Sequence, residues 1–418
     1  MTRRLAAAAF AASFGGFVFG YDLGALSSAT QSLRGWFDLS PAVFGLTISF
    51  SLWGTVCGAL LAGRLADRLG RRTLIAGCAV LYGLAAVAIT LLLGSKWLLV
   101  VAIRFLCGMA IGGFTVGCPL YLSELAPISL RGRLVSLFQV QVGAGVVVAF
   151  CAGSLFGHLT DAVNVWKWCL GTGAIPATAL LFLLRLIPAD QVRFANRAIR
   201  SVSHEFSTPA RLFRRRNTRL ILLATSIAIF NQLSGVNIVL LYMLDILSSA
   251  GIGFTIGHRY TVLISCLSLA TTVLGMAFVD KSGRKPLLLF GSAGMAVCLI
   301  SLGFAIPHHF DSKVYLAILV GYNAFFAFSQ GTVVWVYLSE LFPTGIRGAG
   351  QGYGSSVHWI TNAILVSVFP TMQHASSVRI FYIFALMMTV QIVVVWYWYP
   401  ETRGTSLGSL AVVDNARE

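Results

Sequence analysis

Charge is scarce in this chain. Asp, Glu, Lys and Arg make up 11% of its 418 residues, and only 14 residues are acidic. A water-soluble domain of this size needs far more polar surface to cover itself, so that class is excluded. Cysteine is present without pattern: Cys57, Cys78, Cys107, Cys118, Cys151, Cys169, Cys266 and Cys298 all fall in apolar stretches and show no metal-ligand spacing. Neither a disulfide framework nor a zinc centre is indicated. No motif gathers a nucleophile, a base and an orienting group, which argues against an enzyme, and nothing calls for a cofactor.

What the chain has in quantity is apolar surface. Hydrophobic residues reach 57% and the mean hydropathy is +0.83, so the solvent is lipid. Twelve apolar runs are long enough to cross the hydrocarbon as helices, near 5–30, 41–63, 72–93, 97–123, 133–157, 166–187, 219–247, 258–279, 286–306, 314–341, 346–370 and 379–399. The 42 glycines spread through these runs suit close helix crossings. The N-terminal run has no convincing cleavage site and reads as helix one rather than a secretion signal.

Charge then sets orientation. With both termini inside, only Arg34, Lys96, Lys167, Arg259, Lys313 and Arg379 of the 30 Lys and Arg fall in outer loops, while Arg104 falls within a helix. The positive-inside rule is satisfied, and a net charge of +16 reads as topology and anionic-lipid contact rather than nucleic-acid binding. The largest basic block, Arg185 to Arg219 with Arg214, Arg215 and Arg216, marks a cytoplasmic joint between two halves.

Those halves are copies. YLSELAPISLRG (Tyr121 to Gly132) returns as YLSELFPTGIRG (Tyr337 to Gly348), and LADRLGRRTL (Leu65 to Leu74) returns as FVDKSGRKPL (Phe278 to Leu287). Duplications of this kind are how many membrane transporters build two bundles around a central site. The repeats carry acids and bases at matched positions: Glu124 with Arg131 and Glu340 with Arg347 at inner helix ends, Asp67 with Arg71 and Arg72, and Asp280 with Arg284 and Lys285 in short inner loops. Static topology anchors account for the positive charges. They do not account for the recurring acids, which suit a cytoplasmic gate of salt bridges that close in one state and part in another.

Two ionisable residues stand well inside the membrane, Asp22 and Arg104. Counted from the outer ends of helices one and four they lie at similar depth, so they can pair. Protonating Asp22 would then release Arg104 and link proton binding to a change of shape; the alternative is a fixed ion pair that only orients two helices. In helix seven, Asn231, Gln232, Ser234 and Asn237 interrupt an apolar run and are expected to line a cavity, where amides both donate and accept. Trp335 offers a flat apolar face to a ligand ring or, as is more frequent for a lone Trp, a packing surface or interface anchor.

At these residues the chain resembles the sugar porter family of the major facilitator superfamily, from FGYDLGALSSA (Phe19 to Ala29) to PETRGTSL (Pro400 to Leu407). The resemblance implies an all-α membrane protein with twelve transmembrane helices in two pseudo-symmetric six-helix bundles and alternating access. It places sugar contacts on Gln139, Gln232, Asn237, Gly331, Trp335 and Asn362, with Phe19 as an aromatic lining residue. It also favours proton coupling, because coupled members carry an aspartate and an arginine matching Asp22 and Arg104.

Departures from the family pattern are informative. Asn231 stands for the first of two glutamines, Leu241 for the first of two tyrosines, which leaves Tyr242 as the expected sugar contact of that pair, and Ser268 for a common asparagine. Helix ten reads GTVVW in place of GPxPW and so lacks two helix-breaking prolines. His358 replaces an amide beside Trp359, either as a neutral hydrogen-bonding group or as a second titrating group.

The resulting expectation is a monosaccharide (hexose or pentose) symporter coupled to protons, acting as a monomer in the cytoplasmic membrane. A facilitative uniporter and a non-transporting sugar sensor are the rivals. Residues 1–187 form the first bundle, 188–218 a linker with short helices, 219–399 the second bundle and 400–418 a cytoplasmic tail.

Overall fold

The computed structural model describes residues 3–91, 96–160, 164–185, 212–249, 251–308, 310–375 and 378–403, all of it helix and connecting turns. The expected linker helices fall largely on residues 186–211 and most of the expected tail on 404–418, outside the described residues. The first half contains α1 (Arg3–Phe37), α2 (Pro41–Leu69), α3 (Arg71–Leu91), α4 (Trp97–Leu125), α5 (Arg131–Leu159), α6 (Val165–Gly171) and α7 (Ala174–Arg185). The second contains α8 (Thr218–Leu233), α9 (Val236–Leu241), α10 (Met243–Ser249), α11 (Phe254–Ser282), α12 (Arg284–Ala305), α13 (Ser312–Phe328), α14 (Gln330–Leu341), α15 (Arg347–Ala375) and α16 (Arg379–Trp398).

Among the described residues, eleven helical stretches are long and apolar enough to cross a membrane. The twelfth expected run is α15, a 29-residue helix. Its buried Gln351, Ser355, Ser356, His358 and Asn362 dilute its hydropathy. The chain is a multi-pass membrane protein whose outer surface is apolar: Leu84, Leu91, Leu98, Ile175, Val297 and Trp398 are among the exposed large side chains.

Three expected single helices are broken, and two of the breaks have a local cause. Span six bends between α6 and α7. Span seven breaks at Gly235, where φ is +85°, a conformation that glycine tolerates without steric cost. Span ten breaks at Ser329 without either proline; Ser329 Oγ donates to the Phe325 carbonyl at 2.6 Å and Thr332 Oγ1 to that of Ala327 at 2.8 Å. These hydroxyls serve carbonyls that the break withdraws from the helical ladder. Helix one runs to Phe37 rather than ending near residue 30.

Within the first half, α1 packs on α5 and α2 on α4; within the second, α12 packs on α16 and α13. The halves meet along α2 against α15 and α5 against α11. Glycine permits the closest crossing: a Cβ on Gly20 of α1 would lie 1.9 Å from the Val142 carbonyl of α5, and one on Gly145 of α5 would lie 2.2 Å from that of Phe17. Backbones this close gain dispersion contact that larger side chains would prevent.

Candidate functional site

Asp22 and Arg104 meet. The Arg104 guanidinium donates from both terminal nitrogens to the two Asp22 oxygens, at 2.5 Å to Oδ1 and 2.9 Å to Oδ2. Both side chains are buried. Tyr82 of α3 donates its hydroxyl to Asp22 Oδ1 at 2.9 Å, and Arg104 reaches Ser51 Oγ of α2 at 3.3 Å. Four helices therefore converge on one charge pair. The sequence reading missed Tyr82 and Ser51, since a lone Tyr or Ser in an apolar run carries no spacing signal.

A central cavity lies between the halves, walled by Phe19, Leu23, Gln139, Asn231, Asn237, Ser265, Ser268, Thr272, Asn323, Gly331, Trp335, His358 and Trp359. Asp22 is the neighbour in sequence of Leu23 on that wall. Seven predicted contacts therefore face one space: Phe19, Gln139, Asn231, Asn237, Gly331, Trp335 and His358. Gln232 stands just behind, with its Nε2 2.6 Å from His358 Nε2 and its Oε1 accepting from Asn237 Nδ2 at 2.9 Å. Trp335 Nε1 donates to Gln139 Oε1 at 3.1 Å, and its ring packs 5.2 Å from that of His358 and 5.7 Å from that of Phe138.

Two predicted contacts lie elsewhere. Tyr242 packs its ring against Phe44 and Phe369 and donates to the Val366 carbonyl at 3.4 Å, because the break after Leu241 turns it away from the cavity. Asn362 is buried on α15, beyond the wall, with neither amide atom partnered by protein. Asn323, Ser265 and Thr272 were not foreseen. Nor was the amide chain behind Asn231, whose Nδ2 points to Gln330 Oε1 at 3.5 Å while Gln330 Nε2 donates to Gln391 Oε1 at 2.7 Å.

At the face carrying the charged turns, the two repeats make the same cluster twice. Arg71 bridges Asp67 (2.7 Å) and Glu124 (3.0 Å); Arg284 bridges Asp280 (3.2 Å) and Glu340 (2.7 Å). This corrects the pairing read from the repeated E-x6-R spacing. The turn between Glu124 and Arg131 contains an extended proline and a one-turn 3-10 helix, so α5 restarts with Arg131 aimed across the seam, toward Glu340 and Asp280 of the other half. Arg347 likewise faces Glu124. Arg72 lies beside Tyr121. Thr402 and Glu401 join the second cluster: Thr402 donates to Glu340 Oε2 at 2.7 Å, and Glu401 accepts the Arg284 and Lys285 backbone N–H groups at 3.0 Å each.

A membrane-buried acid–base pair, an amide-lined cavity between two halves and twin charged clusters at one face together make up the candidate site. The model for the family described as "Sugar (and other) transporter" matches residues 8–194 and 193–413. This chain belongs to the sugar porter family of the major facilitator superfamily. It is 28% identical to the D-xylose-proton symporter of Escherichia coli over 96% of this chain and 93% of that protein. It is 29% identical to the glucose transporter GlcP of Staphylococcus epidermidis over 94% of each. The solved structure of the proton:xylose symporter XylE bound to 6-bromo-6-deoxy-D-glucose matches with a TM-score of 0.87 at 28% identity, covering 98% of this chain and 99% of that one. The major facilitator fold and membership of a sugar transporter family are thereby established.

Proposed function

We propose that this sugar porter is a proton-coupled symporter for a monosaccharide, a hexose or a pentose, working as a monomer in the cytoplasmic membrane with its charged face and both termini inside. The observation that carries this reading is the buried, bidentate Asp22–Arg104 pair, with Asp22 on the helix whose Phe19 and Leu23 line the cavity. Protonating that carboxylate would weaken its hold on the Arg104 guanidinium.

In the proposed cycle, Asp22 takes a proton from outside and loosens its hold on Arg104 as sugar binds among Gln139, Asn231, Gln232, Asn237, Trp335 and His358. The bundles of residues 1–187 and 219–399 then rock about the linker of residues 188–218, the charged clusters part, and sugar and proton leave. The exposed Arg214, Arg215 and Arg216 suit anionic headgroups at the cytoplasmic surface. The Gln232 contact supports His358 as a hydrogen-bonding group rather than a second proton site. An uptake pH profile left unchanged by His358→Gln is the expected outcome.

The test is flux into proteoliposomes. D-xylose or D-glucose is expected to accumulate under an inwardly directed proton gradient and to lose that accumulation when an ionophore is added. Asp22→Asn is expected to abolish accumulation while sparing sugar counterflow. Concentrative uptake by Asp22→Asn would remove that carboxylate from the coupling mechanism.

A further inference from the structure

Gln351, Ser355, His358 and Asn362 recur along α15 at helical spacing and share one face. None is more than 4% exposed. Among the described residues, both amide atoms of Gln351 and Asn362, Oγ of Ser355 and Nδ1 of His358 have no hydrogen-bond partner in the protein. A buried amide with no partner is costly, and a helix meant only to pack would carry leucine at such a position.

The neighbours of this face show where it points. Gly348 and Gly352 look toward α2, close to Asp67 and the Ala59 carbonyl, whereas Gly350 and Gly354 look toward Phe342 and Leu338. The polar stripe lies between these two directions and faces the seam between the halves. His358 is on the central cavity wall, and Gln351 lies about 10 Å from it along the helix, toward the charged face. The pattern repeats on α5, where Gln139 lines the cavity. One turn closer to the charged face, Ser136 is buried and its Oγ has no partner.

We propose that Gln351 and Ser355, with Ser136 of α5, form a second sugar subsite on the cytoplasmic side of the central cavity, serving the hydroxyls of a neutral monosaccharide and its accompanying water during release. The inference rests on the sugar-transport reading above. In the present conformation the ion-pair clusters hold this track closed, and its polar atoms carry the desolvation cost. That cost is relieved when the seam opens, so these residues favour the inward-open state. The charge pair acts elsewhere, on proton binding.

The test uses full-length protein bearing Gln351→Met or Ser355→Ala. Removing an unpartnered buried polar group is expected to leave the melting temperature unchanged or raise it by a few degrees. Equilibrium binding of D-xylose or D-glucose is expected to change less than about twofold, while the maximal rate of efflux from proteoliposomes falls about tenfold. In Ser355→Cys, a charged thiol reagent admitted on the cytoplasmic side is expected to modify position 355, as read by mass spectrometry, and added D-xylose is expected to slow the modification.

A lower melting temperature for Gln351→Met, or wild-type efflux in both variants, overturns the proposal. Wild-type protein that neither binds nor moves either sugar overturns the sugar reading. In that case, absence of thiol modification at position 355 independently overturns the release track.

Discussion

Asp280, at the end of α11, accepts the backbone N–H of Arg133 in the first turn of α5 at 2.9 Å, so a carboxylate of one half caps a helix of the other. In the duplicate interface Gly348, at the start of α15, lies against Asp67 of α2. An anion at a helix N-terminus is stabilised by the partial positive charge of the free N–H groups, and at the aqueous edge this interaction is small enough to make and break in each cycle.

Gly132 lets that carboxylate approach. A Cβ there would lie 2.1 Å from Asp280 Oδ1 and 2.6 Å from Arg284 Nη2. Gly132→Val is therefore expected to push Asp280 off the helix and favour the state in which the charged face is open. Spin labels at the exposed Ser129 and Lys281 should report a larger population of long distances by pulsed electron resonance. An unchanged distance distribution would count against Asp280 as part of the closure.

The two partners of the buried pair are not equivalent under mutation. Asp22→Leu strands a guanidinium that cannot lose its charge, and the expected cost is about 3–5 kcal/mol. Arg104→Leu strands a carboxyl, which unlike a guanidinium has a neutral form, so the loss should be smaller. The double variant should recover much of the single-variant loss. Thermal melts of the four proteins measure the coupling, and additive losses would mean that the pair does not stabilise the fold.

Span ten keeps its break by hydroxyls where the family pattern has prolines. Thr332 lies in the first turn of α14, where a missing backbone N–H leaves no helical bond unmade. Thr332→Pro is accordingly expected to retain transport within about twofold. Val336→Pro, one turn further on, removes an internal helical bond at a cost of about 3 kcal/mol and should abolish uptake. Equal activity in the two variants would contradict a break fixed at Ser329.

Much of this site was legible before the fold. Asp22 and Arg104 were visible because charge at membrane depth is too costly to be incidental, and Asn231, Gln232 and Asn237 because amides interrupt an apolar run. The gate acids were visible because they recur in both copies, and spacing paired Asp67 with Arg71 and Asp280 with Arg284, but the partners of Glu124 and Glu340 were not visible. Spacing along the chain suggested Glu124 with Arg131, whereas Glu124 pairs with Arg71, an arginine 53 positions away. Tyr242 was placed on the wall by its position in a motif, and the helix break after Leu241 turns it away from the cavity onto Phe44 and Phe369.

The sequence by itself determined the solvent, the number of spans, the duplication and which residues are too polar to face lipid, because each of these follows from transfer free energy and periodicity along one chain. Only the tertiary structure decided which polar groups meet: Tyr82 on Asp22, Arg284 on Glu340, His358 on Gln232, and the partnerless face of Gln351 and Ser355. Hydrogen bonds and ion pairs depend on ångström distances between helices, and those distances are set by the depth to which helices such as α1 and α5 interlock at their glycines.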